Sequence, residues 1–289
     1  MTVFASLVED ELTQPVLLEV QALAKAIAAQ YGDAARAILF YGSCLREARL
    51  DGLMLDFYLI VSGYRAAYDT RWMATANRLI PPNVFPFAHA GLAAKYAVLS
   101  EADFAALTQP SASTVSVWAR FAQPSRLVWA ADDAARSRAI AAVAQAAPTL
   151  FALARPLTSS DDPVEIWRTG FARTYGCELR AERTDRSGSI VDADEARYLK
   201  FGAAIPKITT MTRPAAERIW RGLQRRGKRA SILRLAKASL TFAGGIDYLA
   251  WKINRHAGTA ITITPWQRRH PILAAFFLVP KLLRQGAVR

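Results

Sequence analysis

Hydrophobic and polar residues follow patterns that predict helices and strands in alternation over the first 155 residues. Apolar positions at helical spacing, set among strong helix formers, predict helices over 15–30, 65–79 and 130–155. Short runs rich in β-branched and aromatic residues predict strands at 36–41, 53–61 and 96–99. The first strand ends at a glycine, and Ser43–Glu47 is expected to open a helix or a loop. The pattern therefore predicts a mixed α and β domain.

The second part of the chain has a different pattern, dominated by helices. Asp161-Asp162-Pro163 is typical of a helix start or hinge. Beyond it, the periodicity predicts helices over 163–176 and 214–242, and a brief β segment over 260–264. We expect three units. The first is the mixed α and β domain over 1–162, the second is a helical domain over 163–260, and the third is a basic amphipathic tail over 261–289.

Charge changes at the same place and supports this division. Residues 1–165 carry 13 basic and 16 acidic residues, whereas 166–289 carry 24 basic and 8 acidic residues. The whole chain has a net charge of +13. Such an excess favours an anionic partner, either nucleic acid or an acidic membrane surface.

Cysteine and histidine usage argues against several other classes of protein. Two cysteines and three histidines, scattered along 289 residues, match neither a disulfide framework nor a zinc site. The acidic start of the sequence lacks the basic flank and long apolar run of a signal peptide. We therefore expect a cytoplasmic protein.

Candidate chemistry lies where the first two predicted strands end and begin. Gly42-Ser43 follows the first strand, and Asp56 interrupts the second, otherwise apolar strand. Glycine lets the backbone approach triphosphate oxygens, and a strand carboxylate can hold the Mg²⁺ that accompanies a nucleotide. A buried carboxylate needs a partner, so Asp56 is the candidate metal ligand and catalytic residue. A structural role for Asp56, as a turn cap or the partner of an arginine, stays open.

The second acidic residue expected of polymerase-β-like nucleotidyltransferases is missing. Two carboxylates at positions i and i+2 would project from one strand face, but Tyr58 and Met54 occupy the positions on either side of Asp56. Asp51, in the preceding turn, is a weaker candidate ligand, because turn carboxylates commonly form only the turn itself.

These motifs resemble one particular family. Tyr41-Gly42-Ser43, followed by Met54-Leu55-Asp56-Phe57, is similar to the mitochondrial-type phosphatidate cytidylyltransferases of the translocator assembly and maintenance family, which also lack the second acid here. Weaker similarity continues through three further segments, of which the last is an inexact match. They are Arg71–Asn77 (with Met73 in place of the family's usual histidine), Lys95–Ser100 and Trp118–Val128.

The resemblance implies a nucleotidyltransferase domain followed by a smaller, winged-helix-like helical domain. It also implies a Mg²⁺-dependent reaction of CTP with phosphatidic acid that gives CDP-diacylglycerol and pyrophosphate. Tyr41, Gly42, Ser43 and Lys95 would bind the nucleotide, Asp56 would bind the metal, and Ser43 would act with Asp56 in catalysis. Lys95 is equally consistent with an ordinary strand-edge lysine.

The basic tail agrees with a membrane-bound substrate. The apolar run 272–279 is too short to span a bilayer, but with its basic flanks it can lie in the interface of an anionic membrane. We therefore expect peripheral association with the inner face of the cell membrane and no nucleic-acid partner. Packing of 272–283 as an ordinary core helix stays open. Two other functions also stay open, which are nucleotidyl transfer to RNA or a small molecule, and an inactive transferase fold that binds membranes.

Overall fold

A mixed five-stranded β-sheet organises the first 130 residues. The structure is a computed structural model, and it describes residues 2–46, 50, 52–178, 190–207, 211–241, 262 and 264–266. The strands are β1 (Ala35–Tyr41), β2 (Met54–Val61), β3 (Asn83–His89), β4 (Leu92–Ser100) and β5 (Ser125–Ala130). Their order in the sheet is β3-β4-β2-β1-β5. β2 and β4 run parallel, and the other neighbouring strands are antiparallel.

Helices surround the sheet and make up the described parts of the chain beyond it. Those before residue 130 are Val3–Leu12, Leu18–Ala29, Tyr64–Ala67, Arg71–Leu79, Glu101–Leu107 and Trp118–Phe121. Those after it are Asp133–Val143, Ala146–Ala154, Pro163–Tyr175, Glu195–Ala204 and Arg213–Thr241. Short 3₁₀ helices occur at Gly32–Ala34, Ser43–Arg46 and Arg155–Leu157. Arg213–Thr241, with 29 residues, is called the long helix below.

Each face of the sheet buries its own set of alternating apolar side chains. Ile38, Phe57 and Val98 pack in one core with the helix Leu18–Ala29. Leu39 and Leu99 belong to the opposite core, which also includes residues of the helix Val3–Leu12 and of the helices after residue 100. The alternation follows from the two-residue period of a strand, so neighbouring residues of β1 and β2 enter different cores.

The core on the second face continues without interruption beyond residue 162. Phe151 packs edge-on against Trp167, with ring centroids 4.8 Å apart. Trp220 of the long helix donates from its indole nitrogen to the Leu153 carbonyl at 2.8 Å. Arg197 makes two hydrogen bonds to the carboxylate of Glu11, at 2.6 and 2.9 Å. The predicted domain boundary at 162 and the winged-helix-like description stay predictions.

The α+β fold class predicted from the sequence is confirmed, with differences in individual elements. The predicted helix over 65–79 is two helices, and the helical region 130–155 contains a break between Val143 and Ala146. β3 and β5 were not predicted. β3 is an edge strand with an exposed proline, Pro86, which weakens its sequence signal. The predicted β segment over 260–264 and the tail 261–289 lie almost wholly outside the described residues.

One helical stretch could cross a membrane by length and composition alone, among the residues that the structure describes. It is Asp133–Leu157, and 67% of its most apolar window is buried inside the fold. Leu150, Phe151 and Leu153 of this stretch all belong to the core. The stretch therefore packs as a core element of this fold.

Candidate active site

Strand pairing places three of the predicted site residues in one row across the sheet. Tyr41 at the end of β1 is opposite Asp56 of β2, and Asp56 is opposite Lys95 of β4. The Lys95 Nζ atom lies 3.0 Å from Asp56 Oδ1, and both side chains are partly exposed, by 28% and 22%. Asp56 thus has a lysine as its ion-pair partner, where the sequence left an arginine or a metal ion as alternatives.

Two features require a glycine at position 42, namely the backbone conformation there and the closeness of Asp56. Its φ of +96° falls in a region that residues with a side chain rarely adopt. A Cβ atom at this position would lie 3.3 Å from Asp56 Oδ2, so the carboxylate rests directly against the backbone of the turn. Ser43 is exposed and begins the 3₁₀ helix Ser43–Arg46, in which the Leu45 amide donates to the Gly42 carbonyl at 3.2 Å. The turn therefore places an open backbone against a carboxylate, with an exposed serine directly after it.

Tyr58 occupies the position at which a second carboxylate was expected. Its hydroxyl accepts a hydrogen bond from an arginine, Arg120. Arg120 Nη1 donates to the Tyr58 hydroxyl at 3.2 Å and to the Ser116 carbonyl at 2.9 Å. The Arg120 guanidinium also lies over the rings of Tyr41 and Tyr58, at 5.2 and 5.9 Å from their centroids. A cation therefore contacts the residue at which a second carboxylate was expected.

Burial and charged neighbours both shift the pKa of Tyr41. Burial raises the pKa of Tyr41 well above its ordinary value; Arg120 opposes this shift, and Asp56 adds to it. The phenol thus stays protonated at neutral pH and can donate a hydrogen bond. A protonated phenol suits the binding of an anion.

Two charged residues from the second half of the chain interact electrostatically with residues near the site, and sequence reasoning missed both. Glu178 raises the pKa of Tyr41 and also that of Arg120. Burial lowers the pKa of Arg234, which lies on the long helix. Tyr58 and Glu178 oppose this shift, and the charge of Arg120 adds to it. Both residues lie more than 100 positions after Asp56, so no local pattern could have linked them to it.

Hydrogen bonds hold the long helix to the turn before β3. Arg234 Nε donates to the Pro81 carbonyl at 2.7 Å, and Lys237 Nζ donates to the Ile80 carbonyl and, at 2.9 Å, to that of Pro82. This turn leads into β3, the neighbour of β4. Burial, and then the charge of Arg234, lower the pKa of Lys237 to about 7.

Other residues that carried the family resemblance lie outside this cluster. Trp72 is 51% exposed on the helix Arg71–Leu79. Asn77 is fully buried and has a structural role. Its side-chain Nδ2 donates to the Tyr68 hydroxyl and the Val98 carbonyl, both at 3.0 Å, and its Oδ1 accepts from the backbone N–H of Asn83. Asp51 lies outside the described residues.

The donor set around Asp56 fits a metal ion that arrives with a nucleotide. Mg²⁺ commonly takes one or two protein carboxylates and completes its octahedron with waters and substrate phosphates. Within the described residues, no three His, Cys, Asp or Glu side chains group together as a protein-only metal site. Asp56 is therefore the protein ligand that a nucleotide-bound Mg²⁺ would use.

Two comparisons with known proteins were made, against family models and against curated sequences. No protein-family model matches the chain, and no curated protein matches its sequence. The function of the protein is therefore inferred from the geometry of the site and from the motifs described above.

Proposed function

We propose that the protein is a Mg²⁺-dependent cytidylyltransferase that converts CTP and phosphatidic acid to CDP-diacylglycerol and pyrophosphate. One observation carries this proposal, namely the carboxylate of Asp56, which rests against Gly42 on one side and on Lys95 on the other. A strand that ends in Gly-Ser beside a strand carboxylate is the core arrangement of polymerase-β-like nucleotidyltransferases, the fold that we assign to the first part of the chain.

Each residue of the row has a role in this proposal. The backbone at Gly42, the Ser43 hydroxyl, the Tyr41 phenol and the Lys95 ammonium group would bind the triphosphate. Lys95 would exchange part of its contact with Asp56 for phosphate oxygens. Asp56 would hold Mg²⁺, which neutralises triphosphate charge when the nucleotide is bound. Catalysis of such a transfer depends mostly on positioning and charge stabilisation, so a small set of residues suffices.

The chemistry of the acceptor explains why one strand carboxylate is enough. A phosphate oxygen of phosphatidic acid attacks the α-phosphorus of CTP, the bond from that phosphorus to the bridging oxygen breaks, and pyrophosphate leaves. A phosphate monoester is largely ionised at neutral pH, with a second pKa of about 6, so its attacking oxygen carries no proton. A hydroxyl acceptor on RNA or an alcohol would instead have to be deprotonated. The replacement of the second carboxylate by Tyr58 thus favours an already ionised acceptor.

The exposed face of the long helix supports a membrane-bound substrate. Basic side chains at helical spacing form a solvent-exposed stripe, which consists of Arg218, Arg221, Arg225, Lys228 and Arg229. Ile232 and Leu233 follow with 38% and 50% of their surface exposed. Basic residues that lead into exposed aliphatic residues suit the surface of an anionic bilayer, at about 1 kcal/mol for each near-surface cation. We propose peripheral association with the inner face of the cell membrane, and the predicted tail would add to it.

Transfer of the label from α-³²P-CTP to lipid tests this function. Purified protein, Mg²⁺ and vesicles that contain phosphatidic acid should give labelled CDP-diacylglycerol, whereas phosphatidylcholine vesicles should give none. Parallel reactions replace the vesicles with RNA or with small alcohols. Label in one of those acceptors, and none in lipid, would show that this acceptor is the substrate and that phosphatidic acid is not.

A second candidate is a transferase fold without activity that binds membranes. The observation that favours it is the ion pair between Asp56 and Lys95, which satisfies the carboxylate without any metal ion. It predicts that the protein binds anionic vesicles but labels no acceptor. It also predicts that nucleotide binding, if measurable, is unchanged when Asp56 is replaced by asparagine.

A further inference from the structure

The helix Arg71–Leu79, which precedes β3, turns a tryptophan and a leucine outward. Trp72 is 51% exposed and Leu79 is 74% exposed. The two residues are about two turns of helix apart, so they lie on one face. The face that packs against the fold carries the small Ala74 and the polar Asn77 instead. The helix therefore presents to solvent the kind of apolar face that a surface helix of a globular protein normally buries.

Buried hydrogen bonds hold the helix in this orientation. The side chain of Asn77 is fully buried and bonds to Tyr68, to the Val98 carbonyl of β4 and to the backbone N–H of Asn83 at the start of β3. A rotation of the helix that buried its apolar face would break these bonds and leave a buried amide unpaired, which is costly. The outward position of Trp72 is thus built into the fold.

Arginines flank the apolar face. Arg71 and Arg78 are exposed on the same helix, which contains no acidic residue. Asp69, two positions before the helix, is the nearest acidic residue in the sequence, and residues 80–94 carry no charge other than that available to His89. Tryptophan and leucine can enter the boundary between headgroups and acyl chains while arginines contact lipid phosphates. This combination of an apolar face with an excess of positive charge suits an anionic bilayer.

A second copy of the chain suits this face less well. A symmetric contact would bring Arg71 and Arg78 of one copy against the same residues of the other copy. Like charges would then lose water together, whereas lipid phosphates would neutralise them. The charges therefore favour a lipid surface as the partner.

The face continues toward an exposed part of the long helix. Arg234 Nε donates to the Pro81 carbonyl at 2.7 Å, two residues beyond Leu79. Ile232 and Leu233, directly before Arg234, are exposed as well. Exposed apolar residues of two helices therefore flank one turn, and hydrogen bonds join the helices there.

We propose that the outward face of the helix Arg71–Leu79 enters the interface of an anionic bilayer through Trp72 and Leu79. This inference rests on the membrane association in the proposed function and deepens it, because it adds a lipid contact within the part of the chain that contains the sheet. The long helix and this helix then bind one membrane surface together. The sheet is held at the bilayer by its own helix and does not depend on the basic stripe alone.

A fluorescent probe at position 79 tests the contact. Cys44 and Cys177 are both buried, so a thiol-reactive NBD dye would label Leu79→Cys at the introduced thiol. Vesicles of phosphatidylcholine and phosphatidylglycerol in equal parts, with neither CTP nor phosphatidic acid, should raise the emission and shift it to shorter wavelength. Leu18→Cys is the matched control, because Leu18 is 77% exposed on a different helix with an acidic first turn, and its probe should not respond.

Sedimentation with the same vesicles gives a second measurement without a dye. Leu79→Gln should weaken vesicle binding about 10-fold, which corresponds to about 1.4 kcal/mol. Leu18→Gln should bind as the wild type does. Equal affinities of these two variants would contradict the proposed contact.

The probe distinguishes this inference from the proposed function. An unchanged probe at position 79 on a protein that sediments with the vesicles would overturn the inference, even if that protein turns over phosphatidic acid. A probe at position 79 that is already shielded from water without vesicles would also overturn it, since the chain itself or a second copy would then cover the face. A probe that enters the bilayer on a protein that labels no lipid would refute the proposed function and leave this contact standing.

Discussion

Gly42 and Asp56 depend on each other at the scale of single residues. The positive φ of Gly42 turns the chain immediately after β1, and the absence of a side chain leaves room for Asp56 Oδ2. The same absence of a Cβ would let phosphate oxygens approach the backbone. One glycine thus serves both the fold and the proposed chemistry.

Gly42→Ala should therefore damage the site as well as the fold. We expect a loss of about 1–2 kcal/mol in unfolding free energy from the positive φ, and a larger loss of CTP affinity, because the new Cβ displaces the carboxylate. Denaturant unfolding and nucleotide titration measure the two effects separately.

Gly32→Ala is the control for that experiment. Gly32 also has a positive φ, of +49°, but nothing lies within 4 Å of a Cβ built there. It should lose stability while CTP affinity stays at the wild-type value. Equal CTP affinity in both variants would show that the contact between Gly42 and Asp56 has no part in binding.

The long helix joins the two parts of the molecule at the scale of secondary-structure elements. Its buried stripe includes Trp220, Leu223 and Lys237, and its opposite face carries the exposed basic residues. Periodicity predicted the helix itself, and the helix is confirmed. Its position could not be predicted, because the hydrogen bonds of Arg234 and Lys237 go to backbone carbonyls of the turn before β3, which carry no side-chain signature.

Lys237 makes stability depend on pH in a defined direction. Its pKa is 10.5 in the ordinary state and about 7 in the folded protein, so between these values the unfolded chain binds a proton that the folded chain has released. Unfolding free energy should therefore rise with pH across this window, by about 1 kcal/mol per pH unit. The penalty of burying the charged form is fully present below pH 7.

Lys237→Met removes this titrating group. Urea unfolding between pH 7 and 10 should show the stability of the wild type rising relative to this variant. Lys228→Met, at an exposed position of the same helix, should follow the wild type. Parallel pH profiles for wild type and Lys237→Met would contradict the assignment of the titration to Lys237.

At the scale of the whole molecule, the sequence predicted the local part of the site and missed the part formed by distant contacts. Tyr41, Gly42, Asp56 and Lys95 were predicted from motifs. Strand register brings Tyr41, Asp56 and Lys95 into one row, and the turn after β1 places Gly42 against Asp56. Arg120 reaches Tyr41 and Tyr58 only because the helix Trp118–Phe121 packs on the sheet, and Glu178 and Arg234 interact with this region from still farther along the chain. A charge pattern can show that the second half of the chain is basic, but not which basic residue turns inward.

The continuous core gives this arrangement its rigidity. Trp118 beside the sheet packs edge-on against Trp220 of the long helix, with ring centroids 5.9 Å apart. Buried aromatic pairs of this kind contribute about 0.5–1.5 kcal/mol beyond their buried area. Packing of large side chains therefore helps to hold the long helix in place, together with the hydrogen bonds of Arg234 and Lys237.

Release of pyrophosphate from CTP tests the central claim most directly, because it reports the chemistry whatever the acyl chains of the lipid. Wild-type protein with Mg²⁺ should release pyrophosphate only when phosphatidic-acid vesicles are present. Asp56→Asn should reduce the rate at least about 100-fold, and Asp69→Asn, at an exposed position away from the row, should not. Wild-type turnover in Asp56→Asn, or no lipid-dependent turnover in the wild type, would contradict the account.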